Sequence, residues 1–236
     1  DKRLANDVAF EIREAGRSKR KKNPKSSNLL DGEIIRHKNG SPIKVPGKFK
    51  CVKAIGWYVS EYNRAQISIN FTNFKISPIY QVFDSVCDLA IERGLRVTGS
   101  ELVGLIPKSA LIDAGKYYLN KQGRSLGVSE SDILECAVQS LGLNDVSKFN
   151  SKEKIIEFAI EDKKDSLLHL STDDLIHSIS QNSPAPGGGS VSALAGSLGA
   201  ALLSMVSLLT YDKKEYFSKR KKMSRLGEMA HIYQKR

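Results

Sequence analysis

The stretch CVKAIGWYVSEYNRAQISINF, residues 51–71, decides the fold of the first part of the chain. Its two halves, 51–59 and 64–71, are rich in β-branched and aromatic residues, as strands are. The link 60–63 is so short that the two strands must be antiparallel neighbours. In the second strand apolar and polar residues alternate, which predicts one buried face and one polar face. That polar face carries Gln66, Ser68 and Asn70.

Amphipathic helices are predicted on both sides of this hairpin. Upstream, the apolar residues between Leu4 and Ile12 indicate a helix that Gly16 stops. Downstream, Pro78 opens a second helix, whose apolar stripe continues to a stop at Gly94. A third strand is then predicted at 95–97 and, after a glycine-permitted bend, at 102–106.

The remaining elements of the first region are helices, predicted at 108–120, 130–141 and 152–159, with Ser129 and Ser151 as N-caps. The order helix, strand, strand, helix, strand is that of a βαββαβ unit whose first strand is missing. The sequence therefore predicts an α+β fold, a ferredoxin-like split βαββαβ sandwich, over residues 1–160. Because the first strand of such a unit lies centrally in the sheet, we expect the chain to be part of something longer.

Residues 17–48 are predicted to form a peripheral flap inserted into this unit. The dipeptide Asn39-Gly40 stands between two short β-branched runs, which predicts a hairpin with a type I′ turn. Basic side chains crowd the start of the flap, at Lys19, Arg20, Lys21, Lys22 and Lys25.

The organisation changes after residue 160. Residues 161–171 are predicted to be a linker, and 172–236 to be the first helices of an all-α bundle domain. Ser190 is expected to cap an uncharged helix from Val191 to Thr210. This helix is long enough to span a bilayer, but its serines and glycines make it poorly hydrophobic, so we interpret it as a buried bundle helix. We expect close helix neighbours at its small residues Ala193, Gly196, Ala200 and Ser204.

Composition and charge limit the classes of function. The chain is 40% hydrophobic and 27% charged, as soluble globular proteins are. Its three cysteines lack a CxxC pattern and its four histidines lack metal-ligand spacing, so we expect no disulfide framework, no metal and a reducing, cytoplasmic setting. The formal net charge of +11 suggests a polyanionic partner, although basic runs are more often solvated surface. The single tryptophan, Trp57, is interpreted as a core residue.

Two segments are candidate binding sites. The first is GLRVTGSELVGLIP, residues 94–107, in which a kinked strand could direct Ser100 and Glu101 towards a ligand. Its alternative is a structural bulge with a surface glutamate, which residue types alone favour. The second is SPAPGGGSV, residues 183–191, where glycine N–H groups before a helix suit an anion. The alternative is an interdomain hinge, and the chemistry of these residues alone favours neither interpretation over the other.

These segments carry a family resemblance. Gly56-Trp57-Tyr58, Ala65-Gln66-Ile67-Ser68 and the 94–107 motif resemble the C-terminal formiminotransferase subdomain of the formiminotransferase-cyclodeaminase family. The 183–191 motif and the Ala/Gly-rich helix after it resemble the start of the cyclodeaminase domain of the same family. The flap at 17–48 is longer than the short basic loop expected there.

The resemblance implies a two-step folate chemistry of histidine degradation. A formimino group passes from N-formimino-L-glutamate to tetrahydrofolate, and cyclodeamination then yields 5,10-methenyltetrahydrofolate and ammonia. The family uses a histidine from the other transferase subdomain and an aspartate from a later helix, so no catalytic residue is assigned here and the chain alone is expected to be inactive. The resemblance also implies a homo-oligomer. The positive charge of the chain suggests that the folate substrate is polyglutamylated, because basic surfaces attract such an anion. Candidate folate-binding residues are Ser100, Glu101, Gly187, Gly188, Gly189 and Ser190.

A basic RNA-binding module is the alternative, because a split βαββαβ sheet with a high pI is also what an RNA-recognition domain shows. That function requires exposed aromatics in a fixed order on adjacent central strands. Trp57, Tyr58 and Phe71 do not follow that order, so we expect no nucleic-acid partner.

Overall fold

The computed structural model describes residues 2–26, 30–61, 63–160 and 167–234. It divides the chain into two compact units, Asp1–Ser100 and Glu101–Arg236. The architecture is mixed, with helices and small antiparallel sheets, as the α+β prediction required. The predicted linker at 161–171 falls largely on residues outside the described ranges, so the division into regions 1–160 and 172–236 stays a prediction.

In the first unit a two-stranded sheet packs against two helices. Strand β3 (Val52–Val59) pairs with β4 (Arg64–Phe71) in antiparallel register along its whole length, which confirms the predicted hairpin. Helix α1 is Lys2–Ile12 and helix α2 is Ile79–Glu92, with Pro78 as its N-cap. The buried core between these elements is apolar and consists of Val8, Ala9, Ile12, Val52, Ala54, Val82 and Val86.

Gly56 allows α1 to lie directly on the sheet. A Cβ atom placed on Gly56 would come within 2.3 Å of the Asn6 backbone nitrogen, so no larger residue fits between strand and helix. The Gly56 N–H donates to Asn6 Oδ1 over 3.0 Å, which satisfies the strand amide at the point of closest approach. The helix thus covers one face of β3, on which Val52, Ala54 and Gly56 are buried.

The flap is a small antiparallel ribbon whose base is held by α1. Strand β1 (Arg17–Ser18) pairs with β2 (Lys44–Val45), and bridges join Arg20 to Ile34 and Arg36 to Pro42. A Cβ atom on Gly16 would lie 1.9 Å from the Val45 carbonyl oxygen, and one on Gly47 would lie 1.8 Å from that of Arg13. Both ends of the flap are therefore fixed by backbone contact.

The hairpin at the tip of the flap forms, but its predicted turn type is wrong. His37 N–H donates to the Ser41 carbonyl over 2.8 Å, and Gly40 N–H donates to that of His37 over 2.9 Å. Gly40 has a φ of +81°, whereas Asn39 is not among the described residues with positive φ. A type I′ turn needs positive φ at both central residues, so this is a three-residue loop with a left-handed glycine.

The predicted third strand does not form as a paired strand. Residues 95–105 carry no strand assignment, and Ile106 makes only an isolated parallel bridge to Ile155. Positive φ values at Gly94, Gly99 and Gly104 interrupt the extended backbone. Val97 still packs on the core of the first unit. The segment therefore contributes an apolar side chain to the core, although among the described residues it forms no hydrogen-bonded ladder with another strand.

The second unit begins with helices α3 (Lys108–Lys121) and α4 (Glu130–Ser140), close to the predicted bounds. Ser129 caps α4 in a full capping box with Asp132. The predicted helix at 152–159 is instead two short helices, α5 (Ser151–Lys154) and α6 (Ile156–Ala159), and Asn150, not Ser151, caps the first. The break is at Ile155, which is fully buried and extended because it bridges to Ile106.

The rest of the second unit is helical. A 3₁₀ turn spans Leu167–His169, and α7 (Thr172–Ile179) is capped by Ser171. Helix α8 (Gly188–Tyr211) is followed by a 3₁₀ stretch at Lys214–Lys219 and by α9 (Arg220–Gln234). The predicted cap at Ser190 is wrong, because Val191 N–H bonds to the Gly187 carbonyl over 3.2 Å and helical bonding therefore begins at Gly187. Ser190 lies inside the first turn.

Candidate functional site

The outer face of the β3–β4 sheet is the first candidate surface. Helix α1 covers one face, and the side chains on the other face alternate with the buried ones and point away from the helices. The predicted polar residues of β4 lie on this face, and β3 adds a cation, an aliphatic and an aromatic side chain. We call this set the open sheet face: Lys53, Ile55, Trp57, Gln66, Ser68 and Asn70.

Trp57 is the centre of the open sheet face, and its interpretation as a core residue is wrong. Half of its surface is exposed (50%), and it stands opposite Gln66 in the register. The indole Nε1–H donates to Gln66 Oε1 over 2.8 Å, which holds the ring in place. Flat aromatic surface beside oriented amides can stack a planar heterocycle and bind its polar edge.

Sequence reasoning found the β4 half of this face and missed the β3 half. The run AIGWYV in β3 is nearly all apolar, so it shows no alternation from which a solvent-facing side could be read. A usable signal did exist. The short link 60–63 fixes the antiparallel register, and that register places Trp57 opposite Gln66.

Ser100 and Glu101 occupy the irregular segment that replaces the predicted strand. Both are half-buried, and Gly99 before them has a φ of +148°. They are consecutive in the chain, with Ser100 ending the first unit and Glu101 beginning the second. Upstream of them, Thr98 Oγ1 accepts a hydrogen bond from Arg64 Nη1 over 2.9 Å, which attaches this segment to the start of β4.

Gly187, Gly188, Gly189 and Ser190 form the start of α8. Gly187 is the extended N-cap residue and makes no side-chain cap bond, and the next three residues form the first turn. Cβ atoms built on Gly188 or Gly189 would meet no heavy atom within 4 Å in the described part of the chain. The described neighbours therefore do not require glycine there for packing, and the backbone is open to solvent.

Helix α8 is apolar and largely uncovered. By length and composition it passes as a membrane-crossing helix, and only 17% of its most hydrophobic window is buried. Most of its large side chains are exposed, and the expected close approach at Gly196 is not seen, because no described atom lies within 4 Å of a Cβ built there. Instead α9 packs on the side of α8 where Ser204 and Ser207 are buried.

No metal site is found in the described residues, where no group of three or more His, Cys, Asp or Glu side chains could hold an ion. The three cysteines are free thiols. His231 is the histidine with a packed environment, and its Nε2 lies 3.1 Å from Ser204 Oγ and 3.2 Å from the Gly127 carbonyl oxygen. No catalytic triad or dyad follows from these contacts.

Comparison with known proteins first defines the class of protein. The formiminotransferase domain model matches residues 1–161, and the formiminotransferase-cyclodeaminase model matches residues 171–236. On a chain of mixed helices and small antiparallel sheets, these matches define the class as a formiminotransferase domain followed by a formiminotransferase-cyclodeaminase segment. The chain belongs to the formiminotransferase-cyclodeaminase family.

Three relatives show how far the similarity extends, and each is a formimidoyltransferase-cyclodeaminase. The protein from Sus scrofa is 40% identical over 173 residues, which cover 72% of this chain and 32% of the relative. The protein from Gallus gallus is 38% identical over 200 residues, which cover 80% of this chain and 36% of the relative. The protein from Dictyostelium discoideum is 35% identical over 218 residues, which cover 91% of this chain and 36% of the relative. The chain therefore spans about a third of the length of the curated relatives it matches.

Proposed function

We propose that this chain is part of a bifunctional folate enzyme of histidine degradation. The first reaction moves the formimino group of N-formimino-L-glutamate to N5 of tetrahydrofolate and releases glutamate. The second closes the product to 5,10-methenyltetrahydrofolate and releases ammonia. The observation that carries this proposal is the succession of the two family matches, 1–161 and 171–236, in one chain. The RNA-binding alternative gains no support from these matches.

For the first region we propose the ferredoxin-like split βαββαβ fold. The hairpin β3–β4 with α1 and α2 on one face supplies part of that unit. Residues 95–98 keep the alternating half-buried and exposed pattern of a strand, and a neighbouring strand would complete their backbone hydrogen bonds. The first strand of such a unit, which is not among the elements of the described residues, is the proposed neighbour.

The open sheet face is the proposed wall of the transferase folate cleft. Trp57 offers a stacking surface, Gln66 and Asn70 offer amide donors and acceptors, and Lys53 offers a positive charge. A pterin ring is planar and has polar edges, so these groups match its chemistry. Ser100 and Glu101 are proposed to border the same cleft in the complete protein, through the segment that Arg64 attaches to β4.

For the cyclodeaminase we propose that Gly187, Gly188, Gly189 and Ser190 line the folate pocket. Two things support this role: the segment lies within the cyclodeaminase match, and the described neighbours leave the backbone at Gly188 and Gly189 uncovered. Free N–H groups at a helix start favour an anionic group of the substrate. Helix α8 is proposed to be a bundle helix of this domain.

We propose that the folate is polyglutamylated and that the flap attracts its tail. Residues 17–48 contain ten basic and two acidic side chains, a net charge of +8 within a chain of net charge +11. Among the described residues, Lys19, Lys22 and Lys25 form no ion pair, whereas Lys21 is paired with Glu33. A cationic ribbon of this kind raises the local concentration of a carboxylate-rich tail. We also propose that the complete protein is a cytoplasmic homo-oligomer that uses no metal.

The test is a chimera in which this chain replaces the matching third of the Gallus gallus relative, because the 236-residue chain alone is expected to be inactive. We expect the chimera to release ammonia and to form 5,10-methenyltetrahydrofolate from N-formimino-L-glutamate and tetrahydrofolate. A chimera that folds and assembles like the parent relative but shows neither reaction would contradict the proposed function.

A further inference from the structure

Two glycines from distant parts of the second unit are in direct backbone contact. Gly127 lies in the connection between α3 and α4, inside the transferase match, and Gly227 lies in α9, inside the cyclodeaminase match. A Cβ atom built on Gly127 would come within 2.7 Å of Gly227 Cα, and one built on Gly227 within 2.9 Å of Gly127 Cα. Both residues are buried.

Space, not backbone conformation, is what requires glycine at these two positions. Neither residue has a positive φ, and Gly227 is helical, so alanine would fit both backbones. Gly123, at the start of the same connection, is the opposite case: its φ is +67°, and no atom of the described residues lies within 4 Å of its built Cβ. The glycine pair therefore exists for the contact between the connection and α9.

Hydrogen bonds between the two regions surround this contact. Leu126 N–H donates to Ser224 Oγ over 3.0 Å, and Tyr211 Oη donates to the Gly123 carbonyl over 3.0 Å. His231 Nε2 lies 3.2 Å from the Gly127 carbonyl oxygen. Each bond joins a side chain of the α8–α9 pair to the backbone of the connection. The contact therefore depends on the backbone conformation of the connection rather than on its side chains.

We propose that residues 123–127 form a docking loop that fixes the α8–α9 pair of the cyclodeaminase region to the transferase region. The α3–α4 part of the transferase region and the α8–α9 pair are then packed together within the second unit rather than joined only by a tether. The proposal goes beyond the two-step reaction, because a flexible tether between the regions is equally compatible with that chemistry. The names transferase region and cyclodeaminase region come from the two family matches. The experiment measures hydrogen exchange and not enzyme activity.

The experiment measures amide hydrogen exchange in the whole chain. We expect the Leu126 amide to be protected in the parent, because its acceptor belongs to α9. The variants Gly127→Ala and Gly227→Ala force a Cβ into the contact, and we expect each to speed exchange at Leu126 at least ~10-fold, the size of effect that overpacking produces. Leu119 in α3 should stay protected, which would show loss of docking rather than unfolding.

Gly199→Ala in α8 is the matched control, since Gly199 is helical like Gly227 but no atom in the described part of the chain lies within 4 Å of its built Cβ. We expect it to leave exchange at Leu126 unchanged. If both glycine variants unfold the unit, Ser224→Ala tests the same joint by removing only the hydroxyl acceptor of Leu126. An unprotected Leu126 in the parent, or one whose exchange is unaffected by Ser224→Ala, would overturn the docking loop.

Discussion

Arg93, the residue that follows α2, donates from Nε to Asp7 Oδ2 of α1 over 3.1 Å, and Asp7 is only 1% exposed. The same guanidinium contacts Glu11 and donates to the Leu89 carbonyl over 2.9 Å. Burial opposes its charged form, but the hydrogen bond to Asp7 and the Glu11 and Asp7 carboxylates outweigh burial and raise the pKa of Arg93. A raised pKa on a cation contributes stability that is fully present below the unfolded-state pKa and is lost only as the pH rises through the folded-state pKa, so the contribution of Arg93 is complete at neutral pH.

Removing Arg93 should destabilise the first unit strongly. The change Arg93→Met leaves Asp7 buried without its cation, and we expect the free energy of unfolding to fall by about 3–5 kcal/mol, as when one partner of a buried pair is removed. Glu92→Ala is the control, because Glu92 is mostly exposed and 3.9 Å from the same guanidinium, and it should cost less than about 1 kcal/mol. Urea unfolding measures both. Equal effects of the two variants would contradict the assigned role.

Trp57 makes the open sheet face directly observable, since it is the only tryptophan in the chain. Tetrahydrofolate stacked on the indole should quench its fluorescence in a saturable way, and Gln66→Ala should weaken the quenching by freeing the ring. Free N-acetyltryptophanamide at equal absorbance corrects for light absorbed by the folate. Quenching no stronger than for this free indole would place the folate elsewhere.

Glu101 should affect substrate binding if it borders the transferase cleft. In the chimera, Glu101→Ala is expected to raise the Michaelis constant for tetrahydrofolate or N-formimino-L-glutamate severalfold. Glu61→Ala, at an exposed position of the β3–β4 link, is the matched loss of a carboxylate. Steady-state kinetics with each substrate varied decides the matter. Unchanged Michaelis constants for both substrates would make Glu101 a surface residue.

Gly188→Ala separates a ligand-binding role of the α8 start from a packing role. The site is open among the described residues, and alanine favours a helix, so stability should change by no more than ~1 kcal/mol. The added methyl group should nevertheless lower cyclodeamination sharply in the chimera, by keeping the substrate from the backbone. Gly199→Ala provides the control for helix propensity. Activity that falls only together with the melting temperature would indicate packing instead.

The flap lysines should matter for long folate tails and not for short ones. In the chimera, replacing Lys19, Lys22 and Lys25 by alanine should raise the Michaelis constant for polyglutamyl folate and reduce its dependence on salt. The monoglutamyl form should be unaffected. Lys213, Lys214 and Lys221, also exposed, provide an equal charge change outside the flap. Equal effects of the two triple variants would mean that net charge, and not the flap, attracts the tail.

The local patterns predicted most of the elements correctly, because the physics that sets them is local. The β3–β4 hairpin follows from strand composition and a short link, and α2, α3 and α4 follow from apolar spacing and their N-terminal residues. The errors arise where a distant partner decides. Ile155 breaks a helix because it bridges to Ile106, a contact that no local pattern shows. Trp57 is exposed because helix α1 occupies the opposite face of its strand.

The candidate site was less predictable than the fold. Gln66, Ser68 and Asn70 could be placed on a polar face from alternation alone, but their β3 partners required the register. Ser190 was misplaced as a cap because a hydroxyl before an apolar run is a good local signal, whereas the helix starts at the preceding glycines. The contact of Gly127 with Gly227 has no local signature, since it joins residues far apart in sequence.

The way the flap is attached determines where the chain can accept new sequence. At its base, Gly16 and Gly47 leave no room for even one methyl group, so a change in length there would separate the flap from α1. At its tip, residues 38–40 are exposed, and no described atom lies within 4 Å of a Cβ built on Gly40. Loop closure costs little more as a tip lengthens. An epitope or a fluorescent peptide can therefore be grafted between Lys38 and Gly40, and natural diversification of the flap would accumulate at the same place.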